Sequence, residues 1–251
     1  MSDLLTIDTI FNNRLLRIPD YQRGYAWIES QISAFWDDLN RLEENRKHYT
    51  GQITVESVSQ DRWEKWDEET WIITDRNFAP FYIVDGQQRL TTTIILLKVL
   101  LDECQEDQLL ASAEKSDHTK KYLHVKAGVS QAYLFGYERD NPSYNCLKND
   151  ILGEDDGTAE ETETLYTANL KAARDFFRKK VAGASHEELE SWFKTLTQRF
   201  AFNWHELSDD LDVFMVFETM NYRGKPLSKL ELLKNRLIYL TTRLAQPEAN
   251  A

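Results

Sequence analysis

The 251-residue chain contains only two cysteines, five prolines and nine glycines, and it lacks an excess of positive charge. Cys104 and Cys146 form no C-x-x-C pair, which argues against a disulfide-stapled secreted domain or a cysteine metal knuckle and for a reducing cytosol. So few glycines and prolines exclude collagen-like and low-complexity architectures. The formal net charge is −12, with Lys+Arg 30 against Asp+Glu 42. A protein that grips a duplex by bulk attraction is basic, so any contact with nucleic acid or nucleotide has to be local. No apolar run reaches membrane length. The most apolar stretch, Ile94-Ile95-Leu96-Leu97, meets Lys98, and Met1-Ser2-Asp3-Leu4 shows neither basic n-region nor apolar h-region. The expectation is a cytoplasmic protein with no signal peptide and no membrane partner.

Apolar content is ample, with 41% hydrophobic and 12% aromatic residues, enough for a packed core. Its periodicity predicts an α+β chain with helices in the majority. Short helical spacing at Ile7, Ile10 and Phe11 precedes a strand over Leu15–Ile18 that Pro19 stops. Ile32, Phe35, Trp36, Leu39 and Leu42 recur at three- and four-residue steps, predicting an amphipathic helix from about Glu29 to Glu44. Ile53, Val55 and Val58 suggest a half-buried strand. The segment from Gln60 to Pro80, carrying Trp63, Trp66 and Trp71, reads mainly as an inserted hairpin capping the core, with a partner-docking surface as the other reading.

Phe81-Tyr82-Ile83-Val84 predicts a strand covered on both faces, and after Asp85-Gly86 an apolar helix runs to about Cys104. The stretch from Asp102 to Thr164 is weakly patterned, with a short helix from Ser143 to Ile151 and a solvated acidic loop from Glu154 to Glu163. Helices are expected over Leu165–Val181 and Glu187–Arg199, the second opened by a Ser185-x-x-Glu188 capping box. A strand within Phe200–Leu207 precedes helices over Asp210–Met220 and Ser228–Leu244. Three segments result: a core over 1–106, a mainly helical extension over 107–245, and 246–251 as a linker or truncation point.

Three polar clusters interrupt these apolar frames. In Ile83-Val84-Asp85-Gly86-Gln87-Gln88-Arg89-Leu90-Thr91-Thr92 a buried strand gives way at Gly86 to a helix, whose N–H groups and dipole converge as an anion site. Arg89 stands in the first turn, where the dipole disfavours a cation; an anion such as phosphate would complete the arrangement. The plainer reading makes Asp85 and Gln88 a capping box, with Arg89 paired to a surface carboxylate. In Ile18-Pro19-Asp20-Tyr21-Gln22-Arg23-Gly24-Tyr25-Ala26-Trp27, Gln22 and Arg23 stand among three rings, suited to base stacking and phosphate contact or simply to core packing. In Phe217 to Ser228, Asn221, Arg223 and Lys225 sit at an interhelical turn before the capping box Ser228-x-x-Glu231, a structural joint or another cationic notch.

Taken in order, I-P-D-Y-Q-R-G-Y-A-W, Y-I-V-D-G-Q-Q-R-L-T-T and F-E-T-M-N-Y-R-G-K-P-L-S resemble the DGQQR-motif family, the N-terminal domains of GmrSD-type modification-dependent restriction endonucleases, over about residues 4 to 240. The resemblance implies a ParB/sulfiredoxin-like fold: a small mixed sheet, a central helix and a helical extension. It also implies binding and hydrolysis of a nucleoside triphosphate with Mg²⁺, coupled to restriction of modified foreign DNA. Asp85, Gln87, Gln88 and Arg89 would then be catalytic. Gln22, Arg23, Gly86, Thr91, Asn221, Arg223 and Lys225 would bind nucleotide or phosphate, and Asp85 could hold the metal through water. Tyr222 stands where the family pattern leads one to expect a small or acidic residue.

Members often carry an HNH-type nuclease domain. His48, His118, His124, His186 and His205 are scattered, so an HNH partner is expected in another domain or subunit. A P-loop is excluded because the chain has no G-x-x-x-x-G-K-[ST]. Two other readings stay open: a non-catalytic DNA-sensing or assembly module, and a domain that itself nicks DNA.

Overall fold

A computed structural model describes residues 3–106, 108–153 and 163–208, together with Leu233 and Leu237. In chain order these residues form β1 (Asp3–Thr6), α1 (Ile7–Ile10), β2 (Arg14–Ile18), α2 (Glu29–Arg41) and β3 (His48–Ser57). Next come α3 (Gln60–Trp63), α4 (Thr70–Arg76), β4 (Ala79–Asp85) and α5 (Gln87–Glu103). The short strands β5 (Leu109–Leu110) and β6 (Ala113–Glu114) lead to α6 (Lys115–Tyr122), β7 (His124–Ala127), β8 (Ser130–Tyr133) and β9 (Phe135–Tyr137). A π-helical turn over Cys146–Ile151 precedes α7 (Leu165–Val181) and α8 (His186–Lys194), then a second π-turn over Thr195–Arg199 and finally β10 (Phe200–Glu206).

Six strands form one mixed sheet in the order β1-β10-β3-β4-β2-β9. β2 runs parallel to both β4 and β9, whereas β3 runs antiparallel to β4 and parallel to β10. The expected α+β class is therefore present. The sheet is not confined to residues 1–106: β9 and β10 come from the later segment, and the same apolar cluster joins Leu15, Ile83 and Leu97 to Leu170, Phe177 and Phe202.

α5 sits at the centre of this core. Its seventeen residues contain neither Gly nor Pro, and from Leu90 to Leu101 every side chain but Lys98 is buried. Three consecutive β-branched threonines inside it would ordinarily weaken a helix. Two of them bond back to the preceding turn: Thr92 Oγ1 donates to the Gln88 carbonyl and Thr93 Oγ1 to the Arg89 carbonyl, each at 2.8 Å. Their hydroxyls are thus satisfied without water.

The segment from Gln60 to Pro80 corrects the expected hairpin, since it folds as α3 and α4 with no strand before Ala79. Trp63, Trp66 and Trp71 pack as partly buried rings against the core. Trp66 meets Tyr82 edge-on at 5.6 Å, so β4 is covered on this side as well. α4 stops at Asn77, which takes a left-handed conformation with φ 58°.

Other expectations meet the structure more closely. α7 has the boundaries read from the sequence, and Ser185 and Glu188 make the reciprocal capping box of α8. The helix expected over Glu187–Arg199 changes to a π-turn at Thr195, where the Thr197 hydroxyl donates to the Phe193 carbonyl at 2.8 Å. Cys104 and Cys146 are both buried and form no disulfide. Among the described residues no helix is long and apolar enough to cross a membrane. The acidic loop from Glu154, the helices expected over 210–220 and 228–244 and the Ser228–Glu231 box lie outside the described residues, apart from Leu233 and Leu237, which are helical with exposed side chains.

Candidate functional site

Because β2, β4 and β9 are mutually aligned in parallel, their C-terminal ends open on one edge of the sheet, a common location for ligand sites in such sheets. The loop after Ile18 and the Asp85-Gly86 turn both leave from that edge. Antiparallel β3 starts there, bringing Gly51 and Gln52 alongside. Topology alone therefore joins three stretches of chain.

Gly86 is the N-cap of α5, with φ 94° and no side-chain cap. Only glycine tolerates this geometry well: a Cβ here would lie 2.8 Å from the Gln52 carbonyl oxygen. The capping box weighed for Asp85 and Gln88 is absent, because Gln88 points to the other loop. Its Oε1 accepts from the Ala26 backbone N–H at 2.7 Å, and its Nε2 donates to the Gly24 carbonyl at 3.1 Å.

Gln87 makes the second tie. Its Nε2 donates to Gln22 Oε1 at 2.8 Å, while Gln22 Nε2 donates to the Val84 carbonyl at 2.7 Å. Tyr25 adds a third, with its phenol 2.7 Å from the Thr92 hydroxyl; burial pushes that phenol's pKa well above its usual range. The two motifs are thus laced together by buried hydrogen bonds. Gln88→Ala removes the acceptor from the Ala26 N–H and is expected to cost about 1–3 kcal/mol. Urea denaturation with an unchanged m-value checks this.

Arg89 leans back across the start of β3. Its Nη2 donates to the Gln52 carbonyl at 2.8 Å and lies 3.7 Å from Asp85 Oδ2, while its buried Nε has no hydrogen-bond partner. Gly51, with φ 128°, gives it room: a Cβ there would come within 2.9 Å of that Nε. The buried Oε1 of Gln87 also has no partner. Two polar atoms of the Asp85–Arg89 turn are therefore uncommitted, one donor and one acceptor.

The remaining sequence-predicted residues fall as follows. Gln22 is buried with both ends of its amide engaged, a positioning role. Arg23 is half-buried on the same loop. Thr91 is wholly buried in the first turns of α5, and its Oγ1 has no hydrogen-bond partner. Asn221, Arg223 and Lys225 lie outside the described residues. Sequence reasoning missed Gly51 and Gln52, since a glycine at the start of an alternating strand carries no pattern that would mark it as the floor beneath an arginine.

The described residues contain no group of three His, Cys, Asp or Glu side chains that could hold a metal ion. Asp85 alone supplies a carboxylate at the turn. That donor set does not fit a resident metal. It fits Mg²⁺ carried in on phosphate oxygens, which needs only one or two protein carboxylates and keeps several waters.

No curated protein matches the chain. The family described as the N-terminal domain of GmrSD restriction endonuclease matches residues 7–238, which takes in the laced motifs, the six-stranded sheet apart from β1, and α5. The chain belongs to that family, and is accordingly a restriction, or phage-defence, protein.

Proposed function

We propose that the turn Asp85–Arg89, backed by the Gln22–Arg23 loop, binds and hydrolyses a nucleoside triphosphate, and that this activity is coupled to restriction of modified foreign DNA by an HNH-type nuclease domain or subunit. The observation that carries the reading is the pair of uncommitted polar atoms, Arg89 Nε and Gln87 Oε1, beside a helix N-terminus without a side-chain cap. Backbone N–H groups after Gly86 cradle phosphate oxygens, and Arg89 and Arg23 neutralise their charge. Asp85, half-exposed and close to Arg89, would hold the Mg²⁺ that accompanies the nucleotide through water. Bound Mg²⁺ would supply charge neutralisation for the phosphates.

Of the two glutamines, Gln87 retains an acceptor for the attacking water, whereas both ends of Gln88 are held by the loop. A neutral amide suits that task, because phosphoryl transfer depends mainly on positioning and electrostatics. Gln22, Gln88 and Thr91 support this arrangement from behind, and Asn221, Arg223 and Lys225 are proposed to bind nucleotide or phosphate with it.

Nucleotide hydrolysis by purified protein tests the reading. Arg89→Ala is expected to lower turnover by about a hundredfold; equal turnover in the two proteins overturns it. The lacing of Gln87 and Gln88 into the loop favours a second reading, in which the turn is a rigid phosphate contact of a non-catalytic DNA-sensing module. That reading requires DNA binding that weakens steeply with salt, and no phosphate release.

A further inference from the structure

The stretch that brings Gln22 and Arg23 to the Asp85–Arg89 turn has no strand or helix of its own between Ile18 and Glu29. Yet Gln22, Gly24, Tyr25 and Ala26 within it are buried. A buried loop must find partners for its backbone among side chains. Here several come from a part of the chain more than a hundred residues later.

Directly after β9, Glu138 turns its carboxylate towards the loop. Oε2 accepts from the Asp20 backbone N–H at 3.0 Å, and Oε1 accepts from the Tyr82 phenol of β4. Asn141 donates from Nδ2 to the Gln22 carbonyl at 3.4 Å, while its Oδ1 accepts from the Ser143 N–H at 2.9 Å. From α7, Asn169 Nδ2 donates to the Tyr25 carbonyl at 3.2 Å. The wall they form is flush with the loop: a Cβ on Gly24 would lie 2.6 Å from Ser143 Oγ and from Tyr166 Cβ.

Of these side chains only Glu138 carries charge, and hydrogen bonds to an ionised acceptor are the stronger kind. It also joins two elements. Its own backbone N–H donates to the Ile18 carbonyl at 3.0 Å, where the loop leaves β2. Tyr82 stands on β4 shortly before Val84, whose carbonyl takes Gln22 Nε2. The loop is thus pinned to β4 twice, through Glu138 at Asp20 and directly at Gln22. Burial, and next the Glu138 charge, push the Tyr82 phenol's pKa well above its usual range, so the phenol keeps its proton and donates.

The effect reaches the Asp85–Arg89 turn through Gln22. Because Gln22 Oε1 accepts from Gln87 Nε2, the free end of the Gln87 amide is its acceptor, Oε1. A primary amide has one donor end and one acceptor end of nearly equal size. Were Gln22 to drift, Gln87 could turn end for end and offer a donor where an attacking water needs an acceptor.

We propose that Glu138 is a positioning residue of this site: its carboxylate holds the loop against β4 so that Gln22 fixes the Gln87 amide with its acceptor free. The role rests on the function proposed above for Gln87, and it carries the site into the chain that follows β9.

Hydrogen exchange by mass spectrometry and hydrolysis of ATP and GTP with Mg²⁺, both on the full chain carrying Glu138→Ala, test it together. Exchange over residues 20–26 is expected to quicken about tenfold, with α5 and α7 unchanged. Turnover is expected to fall about tenfold or more, as for a displaced catalytic group. Glu138→Gln should restore most of both: the introduced amide oxygen accepts the Asp20 N–H, and its nitrogen donates to the Tyr82 oxygen, whose hydroxyl rotates to suit. Tyr82→Phe removes one of the two contacts and should move both readings the same way by less, which keeps the test open if Glu138→Ala does not fold. Absence of hydrolysis by the unaltered protein would end the function proposed for the turn, and exchange alone would then decide whether Glu138 holds the loop. The positioning role is overturned if exchange over 20–26 is unaltered or quickens throughout the chain. It is equally overturned if a hydrolysing protein keeps full turnover with Glu138→Ala, or if Glu138→Gln is as impaired as Glu138→Ala.

Discussion

Glu69→Ala is expected to destabilise the protein by about 3–5 kcal/mol, because it leaves the Arg17 guanidinium buried without its counter-charge. Arg17 Nη2 lies 2.7 Å from Glu69 Oε1, with side-chain exposures of only 4% and 11%. The same guanidinium donates to the Leu16 and Tyr133 carbonyls and stacks over Trp66 at 5.6 Å. It therefore fixes β2, the strand β8 and the start of α4 at one point. Removing both members, as in Arg17→Met with Glu69→Leu, should cost much less than the sum of the single changes, since no charge is then stranded. A double-mutant cycle in urea measures the difference. Additive single and double effects would show that the pair contributes nothing beyond packing.

Gly86→Ala comes next, at about 3–5 kcal/mol. The added Cβ would be held at φ 94°, a conformation L side chains rarely adopt, which costs roughly 1–3 kcal/mol. It would also lie 2.8 Å from the Gln52 carbonyl oxygen and 3.1 Å from Ile53 Cα, both backbone atoms of a central strand that cannot move aside cheaply. For a domain of this length the expected fall in Tm is roughly 6–20 °C. The second consequence is local. Pushing β3 away from the turn shifts the Gln52 carbonyl that holds Arg89, so the nucleotide turnover proposed for this turn should fall even at temperatures where the variant stays folded. Unaltered Tm in a scanning calorimeter would show that the turn can relax around the methyl group.

Elements with strong periodicity were legible from residue order. α2, α5 and α7 each present apolar side chains at three- and four-residue steps, and a helix can bury them in only one way. The strand Phe81–Val84 was legible because a continuous apolar run bounded by Gly86 has few other fates. The tryptophan-rich segment was not, because Trp63, Trp66 and Trp71 fit either a ring-covered hairpin or short helices; the choice rests on packing against Tyr82 and Arg17, residues far away in the chain.

The candidate site divides along the same line. That Gln22 and Arg23 approach the Asp85–Arg89 turn was readable only as an expectation of convergence, and the parallel pairing of β2 with β4 provides its cause. Which atom of each glutamine is committed was not readable, since Gln87 and Gln88 are chemically identical. Their tasks are divided by helical direction, about 100° apart around α5, so that each meets a different part of the loop.

The sheet order also governs when the molecule can be completed during synthesis. β10 bridges β1 and β3, with Trp204 opposite both Asp3 and Ile53. At ribosomal rates of about 5–20 residues per second, roughly 7–30 s separate the emergence of Ser57 from that of Phe200. Throughout that interval the nascent chain carries β3 with one side of its ladder open and β1 with no partner in place. The preponderance of acidic residues then acts on the unfinished polypeptide, keeping neighbouring copies apart until the bridging strand arrives.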